Sequence, residues 1–181
     1  MIHWKLDATT SIYPLEFKHA EEILQLMTKN RGHLDRWLRW SSAIQTLEDV
    51  HALVDQFQEK MHQGDGFHCG IWQNGLLAGA VVCWYIHDGN KNAEVGYWLG
   101  EPFTGKGLAT RAAERAITYL FTDVGLHRVE MQCGVENKKS RAVPERLGFT
   151  LEGIRRESHW ITDRFVDHAV YGILSDEWVK R

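Results

Sequence analysis

Proline is scarce in this 181-residue sequence: only Pro14, Pro102 and Pro144 occur. With no proline-rich linker, internal repeat or low-complexity segment, residues 1–181 read as one continuous domain. Cysteine is scarce too. Cys69, Cys83 and Cys133 are odd in number, far apart and form no CxxC pair, which gives no support to a disulfide framework or a zinc site. None of the ten histidines shows metal-ligand spacing, so no metal is expected. No apolar run approaches the roughly 20 residues of a membrane span. The start, Met1-Ile2-His3-Trp4-Lys5-Leu6-Asp7, lacks the apolar stretch of a signal peptide, and the default expectation is a cytoplasmic protein. Basic residues are not in excess. Twenty-one Lys and Arg against 24 Asp and Glu give a net charge of −3, with no general reason to expect nucleic-acid or membrane binding.

What is present is an ordinary globular composition, 44% apolar and 25% charged, long enough to bury a core without staples. The eight tryptophans are the unusual feature and point to broad aromatic surfaces in a pocket or an interface. Periodicity predicts a strand at 11–15, a helix at 17–29 and a short helix or turn at 33–40, broken by Ser41-Ser42. Thr46 with Asp49 three residues on predicts a capped helix start, and the helix continues over 47–61. Strands follow at 67–72 and 76–86 around an Asn74-Gly75 hairpin turn, then at 93–99. Ala109, Ala112, Ala113, Ala116, Ile117, Leu120, Phe121 and Val124 form the clearest helical stripe, over 108–124. A strand at 128–135, a short helix at 138–147 and two last strands at 149–157 and 164–174 complete a mixed α/β order.

The strand ending at Leu99 feeds a turn, 100–107, that opens the helix at Leu108. A helix start offers unpaired backbone N–H groups and the positive end of its dipole, and both favour an anion. Gly105 and Gly107 let the backbone bend and approach a ligand closely. Lys106 adds a positive charge. A plain glycine-rich connector fits equally well at this level. The P-loop pattern GxxxxGK[ST] is absent, and the position past mid-chain, after an antiparallel-looking meander, is wrong for a dinucleotide fold.

Three separate segments carry a resemblance. Thr104-Gly105-Lys106-Gly107-Leu108-Ala109 resembles the [Gln/Arg]-x-x-Gly-x-[Gly/Ala] motif of the GNAT acetyltransferases. Glu94-Val95-Gly96-Tyr97-Trp98-Leu99 is similar to the fourth strand of that fold. Asn137-Lys138-Lys139-Ser140-Arg141, followed by Leu147-Gly148-Phe149-Thr150-Leu151-Glu152-Gly153, resembles the signature of the RimJ/RimL branch, which includes acetyltransferases of ribosomal-protein N-termini. The order of elements agrees over nearly the whole chain. Two departures stand out: Thr104 replaces the usual Gln or Arg, and Pro144 falls inside the helix after Asn137, where its ring conflicts with the carbonyl of residue 140 and is expected to kink the helix.

The resemblance implies a GNAT fold, with a mostly antiparallel mixed sheet of about six or seven strands flanked by helices. It implies acetyl-CoA as cosubstrate, held by Gly105, Lys106, Gly107, Leu108, Ala109 and Thr110 at its pyrophosphate. Trp98, Leu99 and Asn137 would follow the pantetheine arm, with an N–H near Leu99 polarising the thioester carbonyl. Glu94 is the candidate base, acting through a water, and Ser140 the candidate hydrogen-bond donor to the departing sulfur. Each has a plainer reading: a solvated or ion-paired carboxylate, and a serine bonded to its own helix. Asn137 could equally cap that helix. Strand alternation puts Glu94, Gly96 and Trp98 on one face and Val95, Tyr97 and Leu99 on the other. Cys133 reads as core. Trp37, Trp40 and Trp84 could line an acceptor pocket or pack internally.

The acceptor is expected to be a primary amine. An α-amine titrates near ~8 and a lysine near ~10.4, so a protein N-terminus is the easier nucleophile by about 3 kcal/mol at neutral pH. Polyamines and small amines remain alternatives within that chemistry. A non-catalytic acyl-CoA sensor and a nucleotide-binding domain are alternatives of other classes. The tryptophan content and the strand at 165–174 would suit a homo-oligomer.

Overall fold

The computed structural model describes residues 2–179. Its strands are β1 (Trp4–Lys5), β2 (Thr10–Pro14), β3 (Phe67–Gln73), β4 (Leu76–His87), β5 (Asn92–Leu99), β6 (Arg128–Gly134), β7 (Thr150–Ile161) and β8 (Arg164–Leu174). Its helices are α1 (Ala20–Lys29), α2 (Arg31–Leu34), α3 (Leu47–Gln63), α4 (Leu108–Thr122), α5 (Lys138–Arg146) and α6 (Ser175–Val179). The strands form one sheet in the order β1-β2-β3-β4-β5-β6-β8-β7, antiparallel except for β5 with β6.

The sheet has eight strands among the described residues rather than the six or seven expected. The addition is β1, whose two residues pair with Ile12 and Ser11 and are too few to show alternation. Local chemistry explains most boundaries. Thr46 and Asp49 form the expected reciprocal cap of α3: the Asp49 N–H donates to Thr46 Oγ1 at 3.2 Å and the Thr46 N–H to Asp49 Oδ2 at 2.8 Å. Asn74 and Gly75 both take positive φ, 52° and 78°, as a tight hairpin turn of the type I′ hand requires. Residues 33–40 are helical only at the start, where α2 ends at Leu34. Residues 17–29 open as a 3-10 turn, Phe17–His19, before α1. β7 runs four residues past its expected end because its register shifts between Arg155 and His159, with Glu157 at φ 48°, and that irregularity hides the alternation.

Two apolar cores sandwich the sheet. On one face α4 lays its alanines close against the strands: Ala112, Ala113 and Ala116 are fully buried and meet Val95, Leu99, Val129 and Met131. On the other, Ile23 and Met27 of α1 and Val50 and Val54 of α3 pack with Trp72, Ala80 and Trp98. β5 therefore presents Val95 and Leu99 to one core and Trp98 to the other, as alternation predicts.

The decisive feature is how briefly β5 and β6 pair. Only Asn92, Ala93 and Glu94 have partners, opposite Arg128, Val129 and Glu130. The last rung sets two carboxylates side by side, a pairing that electrostatics disfavours. Beyond it β6 keeps its other edge on β8 through Gly134, and β5 keeps its own on β4 through Leu99. The sheet opens into a wedge between them. Gly100 N–H donates to Ala78 at 2.9 Å, so alternation turns the N–H groups of Leu99 and Tyr97 away from β4 toward the opened side.

Candidate active site

The wedge continues into a cleft of about 1190 Å³ that reaches both faces of the sheet. Glu94, Trp98, Leu99, Gly105, Lys106, Gly107, Leu108, Ala109, Thr110, Asn137 and Ser140 all line it. The structure thus brings every residue selected from the sequence into one cavity, from three elements well separated along the chain.

At one end lies the turn into α4. Gly105 and Gly107 have φ of 76° and 71°, in the left-handed region where a side chain is strained, and open space lies where a Cβ would stand. Gly107 caps α4 with no side-chain partner, and no acidic residue occupies the first turn. The N–H groups of residues 108–110 belong to that first turn, where a helix supplies no acceptor. These are the requirements of an anion cradle, and the pyrophosphate of a coenzyme fits them. Lys106 stands beside the turn with its ammonium 5.9 Å from the Phe103 ring. Thr104, the departure from the family pattern, bonds inward: its hydroxyl donates to the Glu101 carbonyl at 2.8 Å, so it shapes the turn.

In the middle, α5 begins at Asn137, whose Oδ1 accepts the Ser140 N–H at 3.2 Å. Asn137 is therefore a cap, and it also faces the cleft. Pro144 lies inside α5 without ending it. Having no N–H, it cannot bond the carbonyl four residues back, that of Ser140. The Tyr97 hydroxyl takes that place, donating to Ser140 O at 2.8 Å, and it lies 2.9 Å from Ser140 Oγ. A phenol has one proton. With that proton committed to the carbonyl, the contact with Ser140 Oγ draws on the serine's own proton, for which Cys133 Sγ at 3.4 Å is the competing acceptor. Alternation along β5 turns Tyr97 to this face, but its link to Pro144 spans 47 residues and leaves no local pattern.

Cys133 also borders this stretch, with Sγ 3.4 Å from Ser140 Oγ. It is buried, as expected, yet it lines the cleft. Burial pushes its thiol up to about 11, so it is a neutral thiol at physiological pH and a poor nucleophile.

At the far end, on the opposite face, Glu94 accepts a hydrogen bond from Gln132 Nε2 at 3.0 Å. Burial, and after it the neighbouring Glu130 carboxylate, hold the Glu94 carboxyl above the ordinary carboxylate range. This strengthens it as a base. Trp98, four residues along the same strand, donates its indole N–H to His68 Nε2 at 3.3 Å, which fixes the ring between the cleft and the α1–α3 core. Burial lowers His68 to about 3, so it stays a neutral acceptor. Trp84 lies on Gly96, where a Cβ would meet its Nε1 at 2.7 Å, so only glycine leaves room for the indole. Trp37 lies over Gly134, and Trp40 meets Trp98 edge-on with centroids 6.1 Å apart. All three candidate tryptophans line the cleft. His159 and His168 meet at its margin with centroids 3.7 Å apart and rings tilted by 31°. Among the described residues no group of three or more His, Cys, Asp or Glu is placed to hold a metal ion.

A sheet parted between β5 and β6, with an anion cradle at the helix that follows β5, defines an acetyltransferase of the GNAT class. The chain matches the model of the acetyltransferase (GNAT) domain over residues 11–150 and belongs to that family. Its relatives narrow the branch. It is 33% identical to YdaF of Bacillus subtilis, provisionally named a ribosomal N-acetyltransferase, over 98% of both chains. It is 30% identical to the ribosomal-protein-serine acetyltransferase of Escherichia coli, over 95% of this chain and 96% of that one. Its fold superposes on RimL, a ribosomal L7/L12 α-N-protein acetyltransferase solved with coenzyme A, with a TM-score of 0.93 at 25% identity, covering 97% and 99% of the two chains. The protein is an acetyl-CoA-dependent acyltransferase of the RimJ/RimL-like group.

Two outcomes are expected. Replacing Gly107 by Ala forces a side chain into left-handed backbone at a cost of about 1–2 kcal/mol and should weaken acetyl-CoA binding roughly tenfold by calorimetry; an unchanged Kd would remove the turn from the binding site. Tyr97→Phe strands the Ser140 carbonyl and should cost about 1 kcal/mol of stability. Pro144→Ala restores the missing N–H, so the double variant should recover most of that loss in denaturant melts. Strict additivity of the two substitutions would refute the link.

Proposed function

We propose that the protein acetylates the N-terminal α-amine of a protein acceptor, with ribosomal proteins as the leading class. The observation that carries this reading is the placement of Glu94 and Ser140 on opposite sides of one opened seam. A proton acceptor serves the incoming amine from one face, and a hydroxyl meets the sulfur side from the other. Glu94 takes the amine's proton, directly or through a water, and its raised basicity suits that task. The outward N–H near Leu99 polarises the thioester carbonyl. The Ser140 hydroxyl turns from Tyr97 to the developing thiolate, which it stabilises by a hydrogen bond.

Trp98, Leu99 and Asn137 flank the pantetheine arm in this reading, while Gly105, Lys106, Gly107, Leu108, Ala109 and Thr110 hold the phosphates. A bound acetyl-CoA supplies the activated acyl group, and the chain's residues orient and deprotonate around it. The amine end is walled by Trp37, Trp40 and Trp84. Aromatic walls suit the apolar stem of a peptide. The names carried by the B. subtilis and E. coli relatives and by RimL support the same class of acceptor.

The reading also takes the chain as a single catalytic domain of the cytoplasm and as a homo-oligomer. β8 lies between β6 and β7, so β7 is one edge of the sheet, with the two-residue β1 at the other. Leu151, Ile154 and Trp160 on β7 and Phe165 on β8 are exposed. An edge strand carrying apolar side chains is a template for self-pairing. Sedimentation equilibrium should find a dimer or larger species, dissociated by Trp160→Asp; a monomer at every concentration would end this part of the proposal.

For the chemistry, labelled acetyl-CoA incubated with a cell lysate should mark protein N-termini in preference to lysines or polyamines. Glu94→Gln should lower kcat/KM by about 10²–10³ and flatten its acidic limb. Ser140→Ala should lower kcat about tenfold, the scale of one hydrogen bond to a charged group, with little change in KM for acetyl-CoA. A Glu94→Gln profile within a few-fold of the parent at every pH rules out the base.

A further inference from the structure

The acceptor face of the sheet carries a row of polar side chains that the transfer chemistry does not itself use. Gln132 stands on β6, two residues beyond the last β5–β6 rung, and its side chain crosses the opened seam to Glu94. Its amide nitrogen donates to Glu94 Oε2 at 3.0 Å. Its amide oxygen accepts from Arg155 Nη1 of β7 at 3.4 Å. The Glu94 carboxylate, on the strand that has lost its neighbour, is thus tied back to the far side of the wedge by a side chain.

We infer that Gln132 is a positioning residue for the transfer reaction, its amide polarised and oriented by Arg155 so that one oxygen of Glu94 is held and the other is left to the acceptor. The inference rests on the reading of Glu94 as the base. The chemistry of the amide fixes the orientation. A rotated amide would set NH2 against a guanidinium and oxygen against a carboxylate, two repulsive contacts in place of two hydrogen bonds. Arg155 and Glu94 therefore select one orientation between them. The bond to Oε2 leaves Oε1 for the amine's proton. A Leu at 132 would leave the carboxylate free to rotate, and a Glu would repel it.

Other groups bear on Glu94. Glu130 of β6 opposes its ionisation from the adjacent rung, and Arg128 partly offsets Glu130, with Nε 3.0 Å from Glu130 Oε1. Arg155 of β7 favours ionisation. Cys83 and Tyr85 of β4 are each pushed up to about 12, chiefly by burial, and are uncharged in the working range. On β7 and β8, burial lowers His159 and lowers His168 to about 4, which favours the neutral form of each. Gln132 and Arg155 are thus the groups that offset burial and Glu130, and removing either moves Glu94 in the same direction. The ionised form gains from the Gln132 hydrogen bond, so losing that bond raises the pKa, and the base form appears only at higher pH.

The test is the pH dependence of kcat/KM for Gln132→Leu, Gln132→Glu and Arg155→Met, with a peptide acceptor and full-length protein. The acidic limb should move up by about one pH unit in Gln132→Leu, further in Gln132→Glu and less in Arg155→Met. The KM for acetyl-CoA should stay within twofold of the parent in all three. Arg155 is exposed on an edge strand, so its substitution keeps the test open if a Gln132 variant fails to fold. Limbs that stay in place in folded variants overturn the inference, as does a loss of rate that is uniform with pH. The two readings separate cleanly. If Glu94→Gln flattens the limb while the Gln132 and Arg155 variants leave it unmoved, only the positioning role fails; if Glu94→Gln itself keeps the limb, the base assignment fails first.

Discussion

Everything at this site depends on a ladder that stops. β5 and β6 share three rungs and then separate, each kept in place by its other neighbour. A backbone with unpaired N–H groups inside a protein is ordinarily a cost of about 1–3 kcal/mol for each group. Here the cost is tolerated because the flanking pairs are long and both faces are packed. The unpaired edge becomes the place where an extended ligand can lie and a carbonyl can be polarised. The α4 cradle and the Glu94 carboxylate are useful because the opening connects them.

The opening also explains why the two reacting partners are handled by different chemistry. The α4–α5 side offers backbone amides, Lys106 and hydroxyls, suited to phosphates and a sulfur. The other side offers indole rings and one carboxylate that burial makes more basic. A continuous sheet would insulate these two environments from each other. Parting two strands by one seam brings them to the same point while each keeps its own dielectric surroundings. Cys133, its thiol held neutral by burial, is part of the wall between them.

Much of this was legible in the residues. The capped start of α3, the Asn74-Gly75 hairpin, the alanine stripe of α4 and the glycine turn are local patterns, and local patterns follow from local energetics. The alternation of β5 assigned Glu94, Tyr97 and Trp98 to their faces. The rest was hidden because its causes are not local. The pair of residues in β1 is too short to show a period. The long edge strand β7 loses its alternation at a bulge near Glu157. Thr104 looked like a missing ligand contact and turned out to bond its own turn. Gln132 looked like any polar residue on a half-buried strand, and only the distance to Glu94 distinguishes it.

Pro144 looked like a defect in a short helix, and its effect reaches beyond that helix. By removing one internal bond, it leaves the Ser140 carbonyl to be held by Tyr97 of β5 rather than by its own turn. The serine is therefore geared to the strand across the groove. The phenol at 2.8 Å from the Ser140 carbonyl sets the spacing between the start of α5 and β5 across the groove. A helix with that bond intact would have its Ser140 carbonyl satisfied internally and no such tie to the wall it faces.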